Sequence, residues 1–304
     1  MTLRRPTVVA ALLLVVACGR VDVSTTARSN APSTSAPEKT HARLLPRIAV
    51  LVLENKEYGD VIGNDRAPYF NKLARSSALA TSFFAITHPS LPNYLAMLSG
   101  KHYRIGNCTD CHFDDRTIVD QLEEAHISWK AYIEGFPGRC SAVASDGRYA
   151  KKHNPFVYFD RIISDPARCA KIVPTTRLAT DIRKSELPRF VWITPDMCND
   201  SHDCPFETAD SYLARVVPSL VDALGSHGVL IVTFDEGRTK AGCCKLAAGG
   251  HIATIVTGPG AKPGSYPRPL DLYSVTRFIE DRWGLERLGD AACACTPSMM
   301  PLVK

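Results

Sequence analysis

Apolar and polar positions along the chain fall into blocks of two kinds. RIAVLVL, from Arg47 to Leu53, is a continuous β-branched run, the pattern of a strand buried on both faces of a parallel sheet. FVWIT (Phe190 to Thr194), VLIVTF (Val229 to Phe234) and IATIVTG (Ile252 to Gly258) repeat it, and SWKAYIEG reads as another strand. Between them, APYFNKLARSSA, DDRTIVDQLEEAHI, ETADSYLARVVPSLVDALGSHG and DLYSVTRFIEDRWG have helical composition and spacing. The third of these ends at the stop signals Gly225 and Gly228 and is expected to kink at Pro218. Such alternation predicts an α/β fold with a mostly parallel sheet, and no repeat of fixed period interrupts it.

The first residues break the pattern. MTLRRPTVVAALLLVVACGR has two arginines, an apolar run from Val8 to Ala17, and Cys18 after a small residue. This is the form of an export signal, and the run is short for a membrane span. Its VVAC ending resembles a bacterial lipobox, which would make Cys18 a lipidated first residue and the only membrane anchor; plain cleavage and secretion is the alternative. Residues 19–44 are rich in Ser, Thr, Ala and Pro and read as a flexible tether. Residues 45–304 are then expected to form a single domain.

Composition narrows the class. The 304 residues are 45% hydrophobic and 22% charged, and the net charge of +5 is scattered along the chain, which argues against a nucleic-acid protein. Setting Cys18 aside leaves ten of the 11 cysteines, an even number in a chain whose first residues have the form of an export signal. Cys108 with Cys111, Cys140 with Cys169 and Cys198 with Cys204 are plausible local pairs, while a zinc site on NCTDC lacks a second CxxC partner. Oligomeric state is left open.

Candidate chemistry lies where strands end. Glu54 and Asn55 follow the first strand, Asp196, Asp200, His202 and Asp203 follow FVWIT, and Asp235 and Glu236 follow VLIVTF. The carboxyl edge of an open α/β sheet is its ligand crevice, so these groups are expected to converge. His251 enters its strand rather than leaving it, and must reach the site through the glycine-rich approach. In THPSLPNYLAMLSG, Ser90 stands at a helix N-terminus that favours an anion such as phosphate, with Pro92 in the first turn. A divalent cation would activate a serine hydroxyl there, and the oxygen-dominated set Glu54, Asn55, Asp235 and Glu236 suits Ca²⁺, Mg²⁺ or Mn²⁺ better than Zn²⁺. Asp200, His202 and His251 would form a second metal site, or contact phosphate and protonate the leaving alcohol. His88 either orients the turn or touches phosphate. His112, His126 and His227 read as surface or helix-end residues.

Taken together, LENKEYGDVIG, THPSLPNYLAMLSG, YAKKHNPFVYF, WITPDMCNDSHDC, VTFDEG and GGHIATIVTGPG resemble the bacterial phosphoesterase family of secreted acid phosphatases and non-haemolytic phospholipases C, related to the alkaline phosphatase superfamily. The resemblance runs from Ile48 to Trp283 and is nearest the short acid phosphatases. It implies an alkaline-phosphatase-like fold, with helices on both faces of the sheet. It further implies Ser90 as a nucleophile forming a phosphoserine, with Asn93 donating to a phosphate oxygen. Glu54, Asn55, Asp235 and Glu236 would hold metal, and Asp200, His202, His153 and His251 would line the phosphate pocket. The wider superfamily usually has Asp after its first strand and an Asp-His pair later; Glu54 and Asp235-Glu236 take those places here, against a two-zinc site. The expected function is an exported phosphomonoesterase acting on a phosphorylated small molecule or a phospholipid-derived substrate. A phospholipase C-type phosphodiesterase and a catalytically inactive surface lipoprotein are the alternatives.

Overall fold

Ile48–Leu53 forms β1, and all six residues are buried, as its lack of any polar side chain requires. A computed structural model describes residues 45–304, which fall within a single compact unit. The expected export signal (1–18), Cys18 and the tether (19–44) lie outside the described residues.

In chain order the remaining strands of the main sheet are β2 (Ala78–Phe84), β3 (Trp129–Ile133), β4 (Ile172–Val173), β5 (Phe190–Thr194), β6 (Val229–Phe234), β7 (His251–Thr257), β8 (Gly264–Tyr266) and β9 (Leu270–Asp271). They make a nine-stranded sheet ordered β8-β2-β7-β6-β1-β5-β3-β4, with β9 also paired to β2. Every pairing is parallel except the two made by β7, which runs against both β2 and β6. β1 lies between β6 and β5, so the segments after those three strands emerge side by side.

Two groups of helices cover the sheet. Pro68–Ser76 packs on Phe206–Leu224, which also lies on β1 and β6 and continues through Pro218. Ser90–Ser99 packs against Tyr273–Trp283 and Ile118–Glu124. The helix from Ser90 is buried at every position and ends at Gly100, whose φ of 70° takes the left-handed cap that glycine adopts without strain. It is a central helix of the fold, and it begins at Ser90 itself rather than after it.

β2 was not legible as a strand. Its ALATSFF sequence puts half-buried Thr81 and Ser82 in the middle, and its pairing with β7 shifts register there. The reversed direction of β7 explains how a residue entering a strand meets residues leaving others. His251 pairs with Phe84, the last residue of β2.

Five disulfides occur among the described residues. Cys108–Cys111, Cys140–Cys169 and Cys198–Cys204 join the three local pairs, so NCTDC holds a disulfide, not zinc thiolates. Cys243–Cys244 and Cys293–Cys295 complete the set. The Cys140–Cys169 link, with a separation of 29, removes the most chain entropy from the unfolded state, about 3–4 kcal/mol in the loop-closure picture. No helix of the described residues is long and apolar enough to cross a membrane.

Candidate active site

Glu54 follows β1 directly and is wholly buried. Its backbone N–H donates to the Asp200 carbonyl at 2.9 Å, and its own carbonyl accepts from Ser201 Oγ at 2.9 Å, which ties the end of β1 to the segment after β5. The end of β6 is tied in the same way: Asp235 N–H donates to the Leu53 carbonyl at 2.9 Å, and Asn55 N–H donates to Asp235 Oδ1 at 3.1 Å. These crosslinks fix three acidic segments around one point.

Ser90 Oγ faces that point. It lies 3.1 Å from Glu54 Oε2 and 3.2 Å from Glu236 Oε1, and the residue is only 2% exposed. One hydroxyl proton serves two carboxylates. Tyr94, one turn further along the same helix face, donates its hydroxyl to the other oxygen, Glu54 Oε1. The turn before Ser90 is held by Asn93, whose Oδ1 accepts from the Ile86 and Thr87 N–H groups at 3.0 and 3.1 Å. Its Nδ2 donates to the carbonyls of Thr87 at 2.8 Å and Pro89 at 3.3 Å. A Cβ on Gly249 would come within 2.6 Å of the Thr87 backbone, so only glycine lets that chain lie against the turn.

His88 braces the other carboxylate. Its Nδ1 bonds Glu236 Oε2, and its Nε2 faces the Thr239 carbonyl at 2.8 Å. Burial works to lower the His88 pKa, but Thr239 and Glu236 outweigh it and raise it. Both ring nitrogens of His88 are thus engaged, one by Glu236 and the other by Thr239.

On the opposite side, His153 is 2% exposed, with Nε2 3.2 Å from Glu54 Oε2 and Nδ1 3.3 Å from Asp200 Oδ2. Neither approach is aligned as a hydrogen bond, and both His153 Nε2 and Asp200 Oδ2 lack a hydrogen-bond partner. His202 N–H donates to Asp200 Oδ1 at 2.7 Å, its Nδ1 meets Asp203 Oδ1 at 2.7 Å, and Lys152 Nζ lies 3.1 Å from its Nε2.

Electrostatics sets the character of the site. Glu54, Asp200 and Asp235 are fully buried and Glu236 nearly so. Burial, then repulsion from Asp200, pushes the Glu54 carboxyl up to about 8. Burial together with Glu54 and Glu236 holds Asp235 well above the ordinary carboxylate range, and burial and Glu54 do the same to the Tyr94 phenol. Buried carboxylates crowded in this way call for a proton or a cation. Asp235 Oδ2 is buried without a hydrogen-bond partner, in a carboxyl that feels both Glu54 and Glu236. Ligand atoms of Glu54, His153 and His202 come within 4.8 Å of one another, close enough to hold a metal ion, and that set mixes nitrogen with oxygen.

The residues singled out from the sequence thus divide. Ser90, Glu54, Asn55, Asp235, Glu236, His153, Asp200 and His202 come together. Asn93 does not offer the phosphate-binding amide expected of it, because both its donors and its acceptor are spent on the turn. His251 is also placed otherwise: its ring stacks on Tyr58 at 4.4 Å and on Phe84 at 5.1 Å, and its Nε2 faces the Thr81 carbonyl at 3.0 Å. Tyr94 and Lys152 were missed. The signals were present, since Tyr94 is four positions after Ser90 on a helix and Lys152 adjoins His153.

The phosphoesterase family model matches residues 61–286. The chain belongs to the phosphoesterase family. Within it, the chain is 30% identical over 253 residues to the phosphatidylinositol-3-phosphatase of Mycobacterium tuberculosis, covering 81% of this chain and 80% of that one. It is 29% identical over 261 residues to the phosphate-repressible acid phosphatase of Penicillium chrysogenum, covering 81% of this chain but only 61% of that protein. An acid phosphatase of Aspergillus fumigatus is 29% identical over 299 residues, 88% of this chain and 64% of that one. The chain therefore spans less than two thirds of the length of these fungal relatives. Among solved structures, an alkaline phosphatase superfamily protein of Vibrio parahaemolyticus superposes with a TM-score of 0.56 at 13% identity, over 82% of this chain and 70% of that one. The lipoteichoic acid synthase of Listeria monocytogenes gives 0.55 at 12%, over 79% and 72%. At such identities these two share the fold, and the alkaline-phosphatase-like architecture is that of this phosphoesterase.

Proposed function

We propose that this phosphoesterase is an exported phosphomonoesterase of the acid-phosphatase kind, working through a phosphoserine at Ser90 with help from a divalent cation. One observation carries the reading: a nearly buried serine hydroxyl within 3.2 Å of two carboxylate oxygens at a helix N-terminus. The first turn of that helix favours the phosphoryl group electrostatically. Its relatives named acid phosphatase and phosphatidylinositol-3-phosphatase support a phosphate ester as substrate, either a phosphorylated small molecule or a phospholipid-derived one. The disulfides and the sequence of the first residues support export.

In the reaction, the Ser90 Oγ–P bond forms as the bond from phosphorus to the alcohol oxygen breaks. The hydroxyl proton passes to Glu54 or Glu236, both within hydrogen-bond reach. His202 gives the leaving alcohol its proton, backed by Asp203 at Nδ1. Its side chain is 26% exposed where those of His153 and Glu54 are 3% and 0%, so it stands on the rim where an alcohol departs. Water then attacks phosphorus, His202 takes back a proton, and Ser90 recovers its own as phosphate leaves. Lys152, 3.1 Å from His202, offers a cation for a phosphate oxygen. Glu54, Asn55, Asp235 and Glu236 would hold the cation, which when bound polarises the phosphoryl oxygen and favours the serine alkoxide. The oxygen-rich set favours Ca²⁺, Mg²⁺ or Mn²⁺ over Zn²⁺. Purified protein should hydrolyse p-nitrophenyl phosphate and leave bis-p-nitrophenyl phosphate nearly untouched. The reverse preference would make it a phosphodiesterase, and no hydrolysis of either would leave a non-catalytic protein on this fold.

A further inference from the structure

A pocket of about 560 Å³ is lined by residues that adjoin the catalytic segments in the chain, and no step above uses it. Its two flanks are the continuations of the acidic pairs. Asn55 and Lys56 follow Glu54, and Arg238 comes two residues after Glu236. The link to the reacting centre is short: Asn55 Nδ2 is 3.5 Å from Glu54 Oε2, the oxygen that also faces Ser90 Oγ.

The chemistry of the wall is distinctive. Lys56, Arg66 and Arg238 line it against only two carboxylates, Asp60 and Glu207. Arg238 Nη2 meets Asp60 Oδ1 at 2.5 Å, and Arg66 Nη1 meets Glu207 Oε1 at 3.2 Å. Each of these ion pairs engages one guanidinium nitrogen, so each guanidinium keeps N–H donors for a further ligand. Both arginine side chains are well exposed, at 66% and 73%, so they can swing onto a ligand without losing packing. Asn55 contributes an amide group, whereas the Asn64 amide is spent on the Asp60 carbonyl and the Arg66 N–H. The one aromatic residue on the wall, Phe206, is 6% exposed and offers no open face for a base to stack on.

We infer that this pocket receives the leaving group of the substrate, and that the leaving group is a polyol carrying a second phosphate. An excess of cations with unused forked donors suits a phosphate, the Asn55 amide and the two carboxylates suit hydroxyls, and the missing aromatic face disfavours a nucleoside. The inference rests on the phosphomonoesterase reading, since it assigns the other half of that substrate.

The test compares a hexose bisphosphate with the hexose monophosphate sharing its scissile ester, using p-nitrophenyl phosphate as the reference. A second arm uses phosphatidylcholine vesicles carrying phosphatidylinositol monophosphate, whose leaving group keeps a second phosphate, or phosphatidic acid, whose leaving group has none, which separates a soluble ligand from a lipid headgroup. The wild-type protein should favour the second phosphate by at least about tenfold in kcat/KM in one of the arms. The double variant Arg66→Gln with Arg238→Gln should lose that preference and keep its rate on p-nitrophenyl phosphate. Calorimetric binding of the same ligands to Ser90→Ala protein should show the same preference without turnover. Equal rates for one and two phosphates in both arms overturn the inference, as does a preference that survives the double substitution. Loss of the phosphomonoesterase reading is a separate outcome, seen as wild-type protein inert toward p-nitrophenyl phosphate.

Discussion

Ser90 Oγ lies 3.1 Å from Glu54 Oε2, although Glu54 follows the central strand and Ser90 opens a helix 36 residues later. A shared carboxylate therefore joins the end of the sheet to the N-terminus of a buried helix, and Tyr94 holds its other oxygen. Ser90→Ala should lower turnover of p-nitrophenyl phosphate by roughly 10³-fold or more while the circular dichroism spectrum stays unchanged. Acid quenching of the wild-type enzyme during turnover should leave a phosphate on the peptide containing Ser90. Residual activity within tenfold of wild type would falsify the nucleophile assignment.

Asn93 should behave as a structural residue. Asn93→Ala strands the buried N–H groups of Ile86 and Thr87 and frees the carbonyls of Thr87 and Pro89. Its cost is expected at about 2–4 kcal/mol of stability, read by urea denaturation. If stability were unchanged and only the affinity for inorganic phosphate fell, Asn93 would be a ligand after all.

Asp235 is held in a site that disfavours its charge, and removing that charge should show in the absence of metal. With chelator present, Asp235→Asn is expected to melt at a higher temperature than wild type, because repulsion from Glu54 and Glu236 is relieved. Adding Ca²⁺, Mg²⁺ or Mn²⁺ should then raise the wild-type melting temperature and leave the variant's where it was. A wild-type protein that no divalent cation stabilises would leave the carboxylates to be neutralised by protons alone.

Lys152 Nζ lies 3.1 Å from His202 Nε2, and in the proposed mechanism it would meet phosphate there. Lys152→Met keeps the apolar stem and removes the charge, so KM and the inhibition constant of inorganic phosphate should both rise, about tenfold. Unchanged phosphate inhibition would confine Lys152 to positioning His202.

Away from the site, Glu280 is buried, with Oε1 accepting from the Leu288 N–H at 2.8 Å. Burial pushes its carboxyl from 4.5 up to about 8. The folded state thus holds a proton that the unfolded chain gives up above 4.5, so stability falls as pH rises through that window and the loss is complete above about 8. Glu280→Gln keeps the acceptor and removes the titration. Its stability relative to wild type should climb across the window by on the order of 4 kcal/mol, followed by urea denaturation at a series of pH values. Parallel curves would show that Glu280 ionises freely in the fold.

Much of this architecture was written locally. β1, β5 and β6 are continuous apolar runs closed by polar residues, so each announces a strand buried on both faces and the point where it ends. From those ends alone Glu54, Asn55, Asp235 and Glu236 could be set at one edge of the sheet. Short-range order also foreshadowed three of the five disulfides, whose partners lie 3, 29 and 6 residues apart. β2 escaped because its middle is half-buried and polar, and a strand without a clean period gives no local signal.

Only the folded chain decided the rest, since it depends on register between distant segments. Asn55 meets Asp235 across 180 positions, and no period in the sequence encodes that pairing. The direction of β7 is a property of its neighbours, and it brings His251 beside Phe84, where two aromatic rings and a carbonyl hold it. Asn93 reads the same in sequence whether its amide faces a ligand or its own turn; the fold turned it inward, because unpaired N–H groups at Ile86 and Thr87 would otherwise be buried. The sequence by itself determined which residue types stand at the strand ends. Which of them share a proton or a carboxylate was decided by tertiary structure, because burial and proximity together set the charge that each can carry.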